Sequence, residues 1–558
     1  MRFFATRSIR QWLIPMDGDQ SVRSLASWAW LLCLLLALCP AQSSSSSHPS
    51  NLTIPSAIAS SCKNTLYPLS CEHELLSMAT SPSHTVREHF DLSVQFAMNQ
   101  IQSALLLVQK PNPIKKEAGP QLPTGMDDCF ELLTDSLKQL SDVMDTKKDP
   151  TPDDIQTWLS ASLTSQGTCL DSLSTVNSGK EKDLMAALAN NLTEFISNSL
   201  ALYKASGATE LTKKKRTAGG GRNRKLLSDD HFPAWVSAGD RKLLEASLDE
   251  MGERLVVAQD GTGTHTTIGD AIAFASLAAN GGRSVIHVTA GMYSENLKVP
   301  GGSKILLVGD GKGKTVVTGH KSVKGGSTTF GSATLAATSD GVMVRDMTIE
   351  NTAGPENHQA VALLVKSDRS VIYRCAIVGY QDTLYTHSGR QFYRDTDIYG
   401  TVDFIFGNSA AVFQNCNIFP RKGGSGQKNY ITAQGRSDPN QNTGISIQRC
   451  RIQGSSDTFL GRPWKKYSRT VFMQSFLDNS IDSSGWAAWA GGSNSNSLFY
   501  GEYMNSGPGA GTGGRVRWPG VHPALSVAEA SKFTVAEFIA GTSWLPSTGV
   551  EFNSGLGA

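Results

Sequence analysis

The spacing of hydrophobic residues differs between the two halves of the chain. In the first half, apolar residues recur every three or four positions along three stripes, at 90–108, 133–144 and 184–200. This spacing is typical of amphipathic helices whose apolar faces pack against one another. It predicts an all-α helix bundle over residues 55–208, and we interpret the residues of the stripes as core.

Six short segments in the second half share a different pattern. Each begins with a polar residue and reaches an aliphatic residue three positions later, at Ile349, Ile377, Ile398, Ile418, Ile452 and Leu477. These aliphatic residues are 28, 21, 20, 34 and 25 positions apart. Irregular periods of this size favour the coils of a parallel β-helix with loops of variable length over residues 245–558. The alternative, a β-sandwich, would show more Asn-Gly or Asp-Gly hairpin turns.

Residues 209–244 separate the two halves and are rich in glycine and basic residues, which predicts an exposed linker. The string Arg-Lys-Leu-Leu occurs twice there, ending at Leu227 and Leu244. Because exposed dibasic sites are accessible to proteases, both are candidate processing sites. The alternative is a solvated basic run that is not cut.

The N-terminus has the features of a secretory signal. Several arginines precede an apolar run of 12 residues, from Trp28 to Cys39. This run is short for a membrane span and suits a signal core, so we expect a signal peptide over 1–41, with a signal anchor as the alternative. In a secreted protein the Asn-Leu-Thr sequons at Asn51 and Asn191 become candidate glycosylation sites, and the cysteines become candidates for disulfides.

Composition adds little to this picture. A chain of 558 residues is too long for one ordinary domain, and 39% hydrophobic with 18% charged residues indicates globular protein. The net charge of +2 is too small to indicate a nucleic-acid partner. Basic residues near the later coils could hold a polyanion or could form a solvated face; these are Arg421, Lys422, Lys428, Lys465, Lys466 and Arg469.

Two carboxylates are the strongest candidates for chemistry. Asp382 and Asp403 each lie five residues beyond one of the repeated aliphatic residues, Ile377 and Ile398, which places them equivalently on adjacent coils. Neighbouring coils are about 4.8 Å apart. Carboxylates this close repel, so one pKa should rise while the other stays low, giving a proton donor and a charged nucleophile or base. Either residue alone would be interpreted as a turn cap.

Other polar and aromatic residues extend this candidate site. Arg462, followed by a proline, could grip one aspartate with two hydrogen bonds and keep it ionised. Gln359 and Gln381, one coil apart, could donate to an oxyanion, or could form an internal amide ladder. Aromatic residues in or near the same strings suit sugar rings, although we expect about half to be core; they are Tyr380, Tyr385, Phe406, Trp464, Trp486 and Trp489.

Five strings occur in order along this half: GMYSE (291–295), QAVAL (359–363), YQDTLY (380–385), DFIFG (403–407) and LGRPW (460–464). Together they resemble the motifs of plant pectin methylesterases. The resemblance implies a right-handed parallel β-helix that needs no metal or other cofactor. It also implies a secreted enzyme that acts in the cell wall on methyl-esterified homogalacturonan, and we expect a monomer.

The resemblance further implies a role for each candidate residue. Asp403 would attack the C6 carbonyl of a methyl-esterified galacturonate, and Asp382 would protonate the departing methanol. Gln381, with Gln359 in support, would hold the oxyanion, while Arg462 would orient Asp403. The residues expected to contact the sugar chain are Trp464, Tyr385 and Phe406.

The first half resembles the pectin methylesterase inhibitor domain, a four-helix bundle with a helical hairpin. The strings are CKNTLYPLSC (62–71), DDCFELL (127–133) and TCLD (168–171). The resemblance implies disulfides Cys62–Cys71 and Cys129–Cys169, and a pro-region that restrains the enzyme until a subtilisin-like protease cuts the linker. Pectin methylesterase inhibitor proteins are further expected partners. In the second half Cys416–Cys450 is an expected bridge, and Cys375 an expected free thiol.

Two alternatives remain open at this point. Another pectin-degrading β-helix enzyme would carry the strings of a polygalacturonan hydrolase, which are absent, or a calcium-binding acidic cluster, for which Asp382 and Asp403 alone are too few ligands. The other alternative is an inhibitor-type binding protein whose β-helix is inactive.

Overall fold

The computed structural model describes residues 54–79, 84–108, 125–175, 179–207, 254–277, 282–454, 457–489 and 496–557. All of them belong to one unit, residues 54–558. The predicted signal over 1–41, the sequon at Asn51 and the processing sites at Leu227 and Leu244 lie outside the described residues. Within the described residues, none of the helices has both the length and the apolarity required to span a membrane.

Six helices occupy the first half: α1 (Ser56–Cys62), α2 (Pro68–Met78), α3 (Val86–Val108), α4 (Gly125–Met144), α5 (Pro152–Leu173) and α6 (Lys180–Ala205). The predicted stripes supply their common core, which includes Phe90, Leu133 and Ile196. Leu184, at the start of the third stripe, is 42% exposed, so its interpretation as core is wrong. It lies near the N-terminal end of α6.

Two disulfides join these helices. Cys62–Cys71 links α1 to α2, and Cys129–Cys169 links α4 to α5. They are the two pairs implied by the resemblance. Each closes a loop of the unfolded chain, of 9 and 40 residues respectively, and so reduces the entropy that folding must overcome.

The second half contains three parallel sheets. Sheet 1 has eleven strands: β1 (Leu255–Val257), β2 (Ser284–Val288), β5 (Ile305–Gly309), β8 (Met343–Arg345), β11 (Ser370–Tyr373), β14 (Arg390–Arg394), β17 (Ala410–Gln414), β20 (Gly444–Gln448), β23 (Arg469–Met473), β25 (Phe499–Tyr503) and β26 (Val521–His522). Sheet 2 has eight: β3 (Gly291–Ser294), β6 (Thr315–Gly319), β9 (Thr348–Asn351), β12 (Ala376–Val378), β15 (Asp397–Gly400), β18 (Asn417–Pro420), β21 (Arg451–Ile452) and β24 (Phe476–Leu477).

Sheet 3 has seven strands: β4 (Leu297–Val299), β7 (Leu335–Ala337), β10 (Leu363–Lys366), β13 (Leu384–Ser388), β16 (Ile405–Gly407), β19 (Asn429–Gln434) and β22 (Thr458–Gly461). From β2 to β24 the chain visits sheets 1, 2 and 3 in turn, so each coil contributes one strand to each sheet, and the predicted parallel β-helix is confirmed. Short helices flank the coils: α7 (Ile268–Leu277), α8 (Val527–Ser531) and α9 (Val535–Phe538).

The repeated sequence pattern corresponds to the corner between sheets 1 and 2. The six aliphatic residues pair with one another in order along sheet 2 and are buried. The polar residue that begins each repeat has a φ between 49° and 55°; these are Asp346, Arg374, Asp395, Asn415, Arg449 and Gln474. This left-handed backbone is unfavourable for β-branched residues, which explains why none occupies that position.

The three cysteines of the β-helix are buried thiols, so the expected Cys416–Cys450 bridge is not present. The two residues stack on adjacent coils, where side chains about 4.8 Å apart point in parallel directions. A disulfide needs Cβ atoms about 3.8 Å apart and converging sulfurs. Each Sγ instead donates to a main-chain carbonyl, Cys416 to Tyr393 at 3.6 Å and Cys450 to Phe413 at 3.5 Å. Cys375 is a thiol as expected, and burial raises its pKa to about 12.

Candidate active site

Asp382 and Asp403 occupy equivalent positions at the corner that leads into sheet 3. Each lies two residues before a strand, and those strands pair with Leu384 opposite Ile405. Both aspartates have left-handed backbone, with φ of 61° and 52°, and are only 7% and 5% exposed. The Asp382 N–H donates to the carbonyl of Val402 at 3.0 Å, which links the two corners. The structure therefore brings the carboxylates together on adjacent coils, as the register predicts.

Arg462 holds Asp403 in the predicted two-point grip. Its Nε donates to Oδ1 at 2.8 Å and an Nη atom donates to Oδ2 at 2.6 Å. The guanidinium also lies between two rings, 4.2 Å from the centre of Tyr430 and 4.4 Å from that of Trp489. Such contacts restrict the planar guanidinium to one orientation and stabilise its charge.

The surroundings shift the pKa values of the two carboxyl groups to different extents. Burial raises the pKa of Asp382 well above its usual range, and the nearby charge of Asp403 raises it further. Burial raises the pKa of Asp403 too, so the expectation that it stays low is wrong, but the hydrogen bonds from Arg462 oppose that rise. Because Arg462 grips only Asp403, the shared proton is favoured on Asp382 and the negative charge on Asp403.

Gln359 and Gln381 line one cavity of about 380 Å³ together with both aspartates and Arg462. The Ala360 N–H donates to the Gln381 carbonyl at 3.2 Å, so the two glutamines lie on adjacent coils. This β-helix does contain an amide ladder, but it runs through Gln414, Gln448 and Gln474. The location of Gln359 and Gln381 in the cavity favours the oxyanion interpretation.

Three of the predicted aromatic residues form one wall of this cavity. Tyr385 and Phe406 stack at 4.2 Å, and Trp464 meets Phe406 edge to face at 5.9 Å. Trp464 also lies so close to Gly435 that a Cβ there would be 2.7 Å from its ring. Trp486 is instead core, only 1% exposed. Aromatic faces next to polar groups suit sugar rings, but Tyr385 and Phe406 are only 3% and 4% exposed in the full chain.

Comparison with known proteins agrees with this geometry. The family model described as Pectinesterase matches residues 254–542, which is more than half of the chain. The chain belongs to the pectinesterase family. A second family model, Plant invertase/pectin methylesterase inhibitor, matches residues 56–202. We therefore name residues 54–207 the inhibitor-like domain and residues 254–557 the pectinesterase domain.

Individual relatives support the same assignment. "Probable pectinesterase/pectinesterase inhibitor 35" from Arabidopsis thaliana is 54% identical over 483 residues, covering 86% of this chain and 90% of the relative. "Pectinesterase 2" from Citrus sinensis is 46% identical over 524 residues, covering 91% and 97%. The structure of pectin methylesterase from carrot has 51% identity and a TM-score of 0.54, covering 56% of this chain and all of that one. The chain is thus a pectinesterase, which removes methyl esters from cell-wall pectin and acts outside the cell.

The inhibitor-like domain covers the site of this pectinesterase. Thr168, Asp171 and Ser172 of α5 line the same cavity as the aspartates. The Thr168 hydroxyl hydrogen-bonds to His387 Nε2 at 2.9 Å and to the Tyr385 hydroxyl at 3.3 Å. Sequence reasoning missed these residues as part of the site; the only signal was the TCLD string, which carried the inhibitor resemblance.

The outer face of sheet 3 at the site shares one apolar core with the helices. Leu364, Tyr385 and Phe406, on the outer face of sheet 3, belong to the same apolar cluster as the helices. Beside them, burial and the charge of Lys366 lower the pKa of His387 well below its usual range, so its imidazole is neutral. The site beneath α5 therefore combines this apolar cluster with a cavity of about 380 Å³ whose lining includes many polar side chains.

Proposed function

We propose that this pectinesterase cleaves the methyl ester through a covalent intermediate on Asp403. The charged carboxylate attacks the C6 carbonyl, forming an acyl–oxygen bond as the carbonyl electrons move to its oxygen. The amide N–H groups of Gln381 and Gln359 donate to that oxyanion. When the tetrahedral intermediate collapses, the bond to methoxide breaks and Asp382 supplies the proton that completes methanol.

The second half of the reaction reverses these roles. Asp382, now ionised, accepts a proton from water, and the resulting hydroxide attacks the acyl carbonyl. The bond to Asp403 breaks, which releases galacturonic acid and restores the starting protonation of both aspartates. The product acid then gives its proton to solvent and becomes the galacturonate carboxylate. No other reactant is needed, because water supplies both the oxygen and the proton.

The observation that carries this proposal is the two-point grip of Arg462 on Asp403 beside Asp382. The grip aims the carboxylate and favours its ionised form, while the neighbouring carboxyl retains the proton. Methanol release from highly methylated pectin tests it directly. With the linker cut and the inhibitor-like domain removed, Asp403→Asn should lower the rate by at least about a thousandfold, as losses of catalytic nucleophiles do.

A matched control is available at another corner of the coils. Asp395 also has a left-handed φ, of 49°, where asparagine is tolerated, and it lies on the corner between sheets 1 and 2. Asp395→Asn should retain ordinary activity. Activity of Asp403→Asn close to that of the control would refute the nucleophile assignment, and an inactive but folded wild type would favour a binding role.

We further propose that the inhibitor-like domain, a four-helix bundle with a hairpin extension, restrains the enzyme. Its helix α5 closes one side of the cavity, and charged contacts hold it there. Asp154 at the start of α5 accepts hydrogen bonds from Arg369 and Arg390, both at 2.5 Å. Ser197 of α6 donates to Asp438 at 2.5 Å. Cutting the linker and diluting the protein should therefore raise methanol release.

The remaining assignments complete this proposal. A signal over 1–41 directs secretion, a subtilisin-like protease cuts after Leu227 and Leu244 in the linker 209–244, and residues 55–208 and 245–558 are the two products. Asn191, half-buried on α6, remains a candidate glycosylation site. N-terminal sequencing of the secreted enzyme tests the cuts, with Glu245 as the expected first residue.

A further inference from the structure

Three lysines of the pectinesterase domain form ion pairs with acidic residues of the inhibitor-like domain. Lys298 Nζ is 2.6 Å from Glu131 Oε2. Lys366 Nζ is 3.1 Å from Glu131 Oε1 and also contacts Asp135. Glu131 and Asp135 lie four residues apart on α4, so both carboxylates project from one face of that helix.

The third lysine lies beyond the opposite side of the catalytic pair. Lys465 Nζ is 3.3 Å and 3.4 Å from the two carboxylate oxygens of Asp171. The ammonium group is also 5.1 Å from the centre of the Trp464 ring, which belongs to the aromatic wall. Asp171 lines the catalytic cavity, so its carboxylate lies beside the position where a sugar would bind.

Register along sheet 3 places these lysines in line with the site. Lys298 pairs with Ala336, which pairs with Leu364, which pairs with Tyr385 of the aromatic wall. Three strand spacings of about 4.8 Å put Lys298 roughly 14 Å from Tyr385. Strand β22, which leads to Lys465, lies three spacings to the other side. The lysines therefore flank the catalytic pair over a length that suits a segment of polymer.

The other charged contacts of the interface differ from these three. Arg390 is paired inside the pectinesterase domain with Asp368, at 2.5 Å, and only 2% of its side chain is exposed. It keeps a partner when the helices leave. The carboxylates that contact Lys298, Lys366 and Lys465 in the described residues all come from the helices, so departure of the inhibitor-like domain leaves these three ammonium groups without those partners.

We propose that Lys298, Lys366 and Lys465 form a track that binds the carboxylates of already de-esterified galacturonate units on both sides of the reacting ester, and that Glu131, Asp135 and Asp171 imitate those carboxylates in the closed protein. The inference rests on the proposed function of the same site. One consequence follows: de-esterified pectin competes with the inhibitor-like domain.

Kinetics on two substrates tests the track. The full chain is cut within 209–244 and diluted until methanol release per enzyme no longer rises. Lys298→Gln/Lys366→Gln should then raise KM for pectin of low methylation roughly three- to tenfold, as expected when two exposed charge contacts are lost. KM for highly methylated pectin and kcat should not change. Lys465→Gln tests the other side of the site in the same way.

Lys314→Gln/Lys532→Gln is the matched control, because it removes the same charge from exposed positions before β6 and after α8. Equal KM changes in the control and the test variant would overturn the track, as would no change in either. Normal methanol release with no lysine effect would overturn the track alone, whereas absence of methanol release from the folded wild type would instead overturn the proposed function.

A displacement measurement tests the competition. In the cut Asp382→Asn protein, which should leave methyl esters intact, a fluorophore on the inhibitor-like piece reports its release by anisotropy. Fully de-esterified polygalacturonate should release it, and the effect should weaken with salt because exposed charges are screened. Highly methylated pectin of equal length should release much less. Equal release by both polymers, or none by polygalacturonate, would overturn the proposal.

Discussion

Asp154 offers the sharpest test of how the inhibitor-like domain is held. Its carboxylate lies between Arg369 and Arg390, and only 7% of the side chain is exposed. Its other oxygen accepts from the Thr151 N–H at 3.1 Å and caps α5. Asp154→Asn retains the shape and an oxygen for the cap but removes the charge between two guanidinium groups.

The expected cost follows from what remains after the change. Breaking a buried ion pair costs about 3–5 kcal/mol when a charge is left without a partner. Here Asp368 still neutralises Arg390, so we expect about 2–3 kcal/mol, typical of lost charge-assisted hydrogen bonds. That loss weakens docking of the inhibitor-like domain about 30- to 150-fold.

The assay uses the cut two-piece protein. Methanol release per enzyme, measured over a dilution series, gives the concentration at which half of the inhibitor-like domain has left. Asp183→Asn, an exposed acidic residue in the first turn of α6, is the control for removing a helix N-terminal charge. If Asp154→Asn docks as tightly as Asp183→Asn, the buried contact does not hold the domain and the reasoning is wrong.

The acidity of Asp154 sets the pH range of this effect. Burial alone would raise its pKa, but Arg390 and Arg369 lower it to about 2. A depressed pKa stabilises the docked state above the ordinary value near 4, and this stabilisation is lost only as pH falls towards 2. The difference between wild type and Asp154→Asn should therefore be constant from about pH 5 to 8.

Further outcomes are expected for the pectinesterase domain. Arg462→Lys should lower kcat about 10- to 100-fold, because an ammonium group cannot grip both oxygens of Asp403; wild-type kcat would contradict this. Gly435→Ala should raise KM more than it lowers kcat, because the added Cβ displaces Trp464. An unchanged KM would contradict the assignment of Trp464 to the wall that contacts the sugar chain. The pH profile of kcat/KM should fall at low pH as Asp403 gains a proton and at high pH as Asp382 loses one, and a flat alkaline side would exclude Asp382 as the acid. Thiol labelling after denaturation should find Cys375, Cys416 and Cys450 all reactive, whereas a single reactive thiol would mean that a bridge forms.

Much of the β-helix follows from local sequence. The aliphatic ladder and its polar corner could be predicted because each coil repeats the same backbone requirement, a left-handed residue followed by a buried one. The placement of Asp382 and Asp403 followed from the same register. Arg462 was found through its proline and its string, and its two-point grip on Asp403 agrees with the expectation.

Other features depend on contacts that no local pattern encodes. Tyr430 and Trp489 enclose Arg462 from different parts of the chain, so spacing gave no indication of their role. Thr168 and Asp171 line the site because the inhibitor-like domain packs against the pectinesterase domain. Helical periodicity predicts which face of a helix is apolar, but it does not predict which surface that helix will contact. For Cys416 and Cys450 the prediction was a bridge that the structure does not contain. The two residues are neighbours on adjacent coils, but their parallel side chains do not converge as a disulfide requires.

The shared apolar cluster has a consequence for biosynthesis. Chains emerge from the ribosome N-terminus first, and domains generally fold in that order. Residues 54–207 are therefore complete before the last coils of residues 254–557 have been translated. The aromatic wall at Tyr385 and Phe406 then forms when the inhibitor-like domain has already folded. The new enzyme therefore does not expose these rings to chaperones, to other chains or to its own substrate. Under the restraint proposed above, the order of translation means that the site is covered as soon as the enzyme has folded.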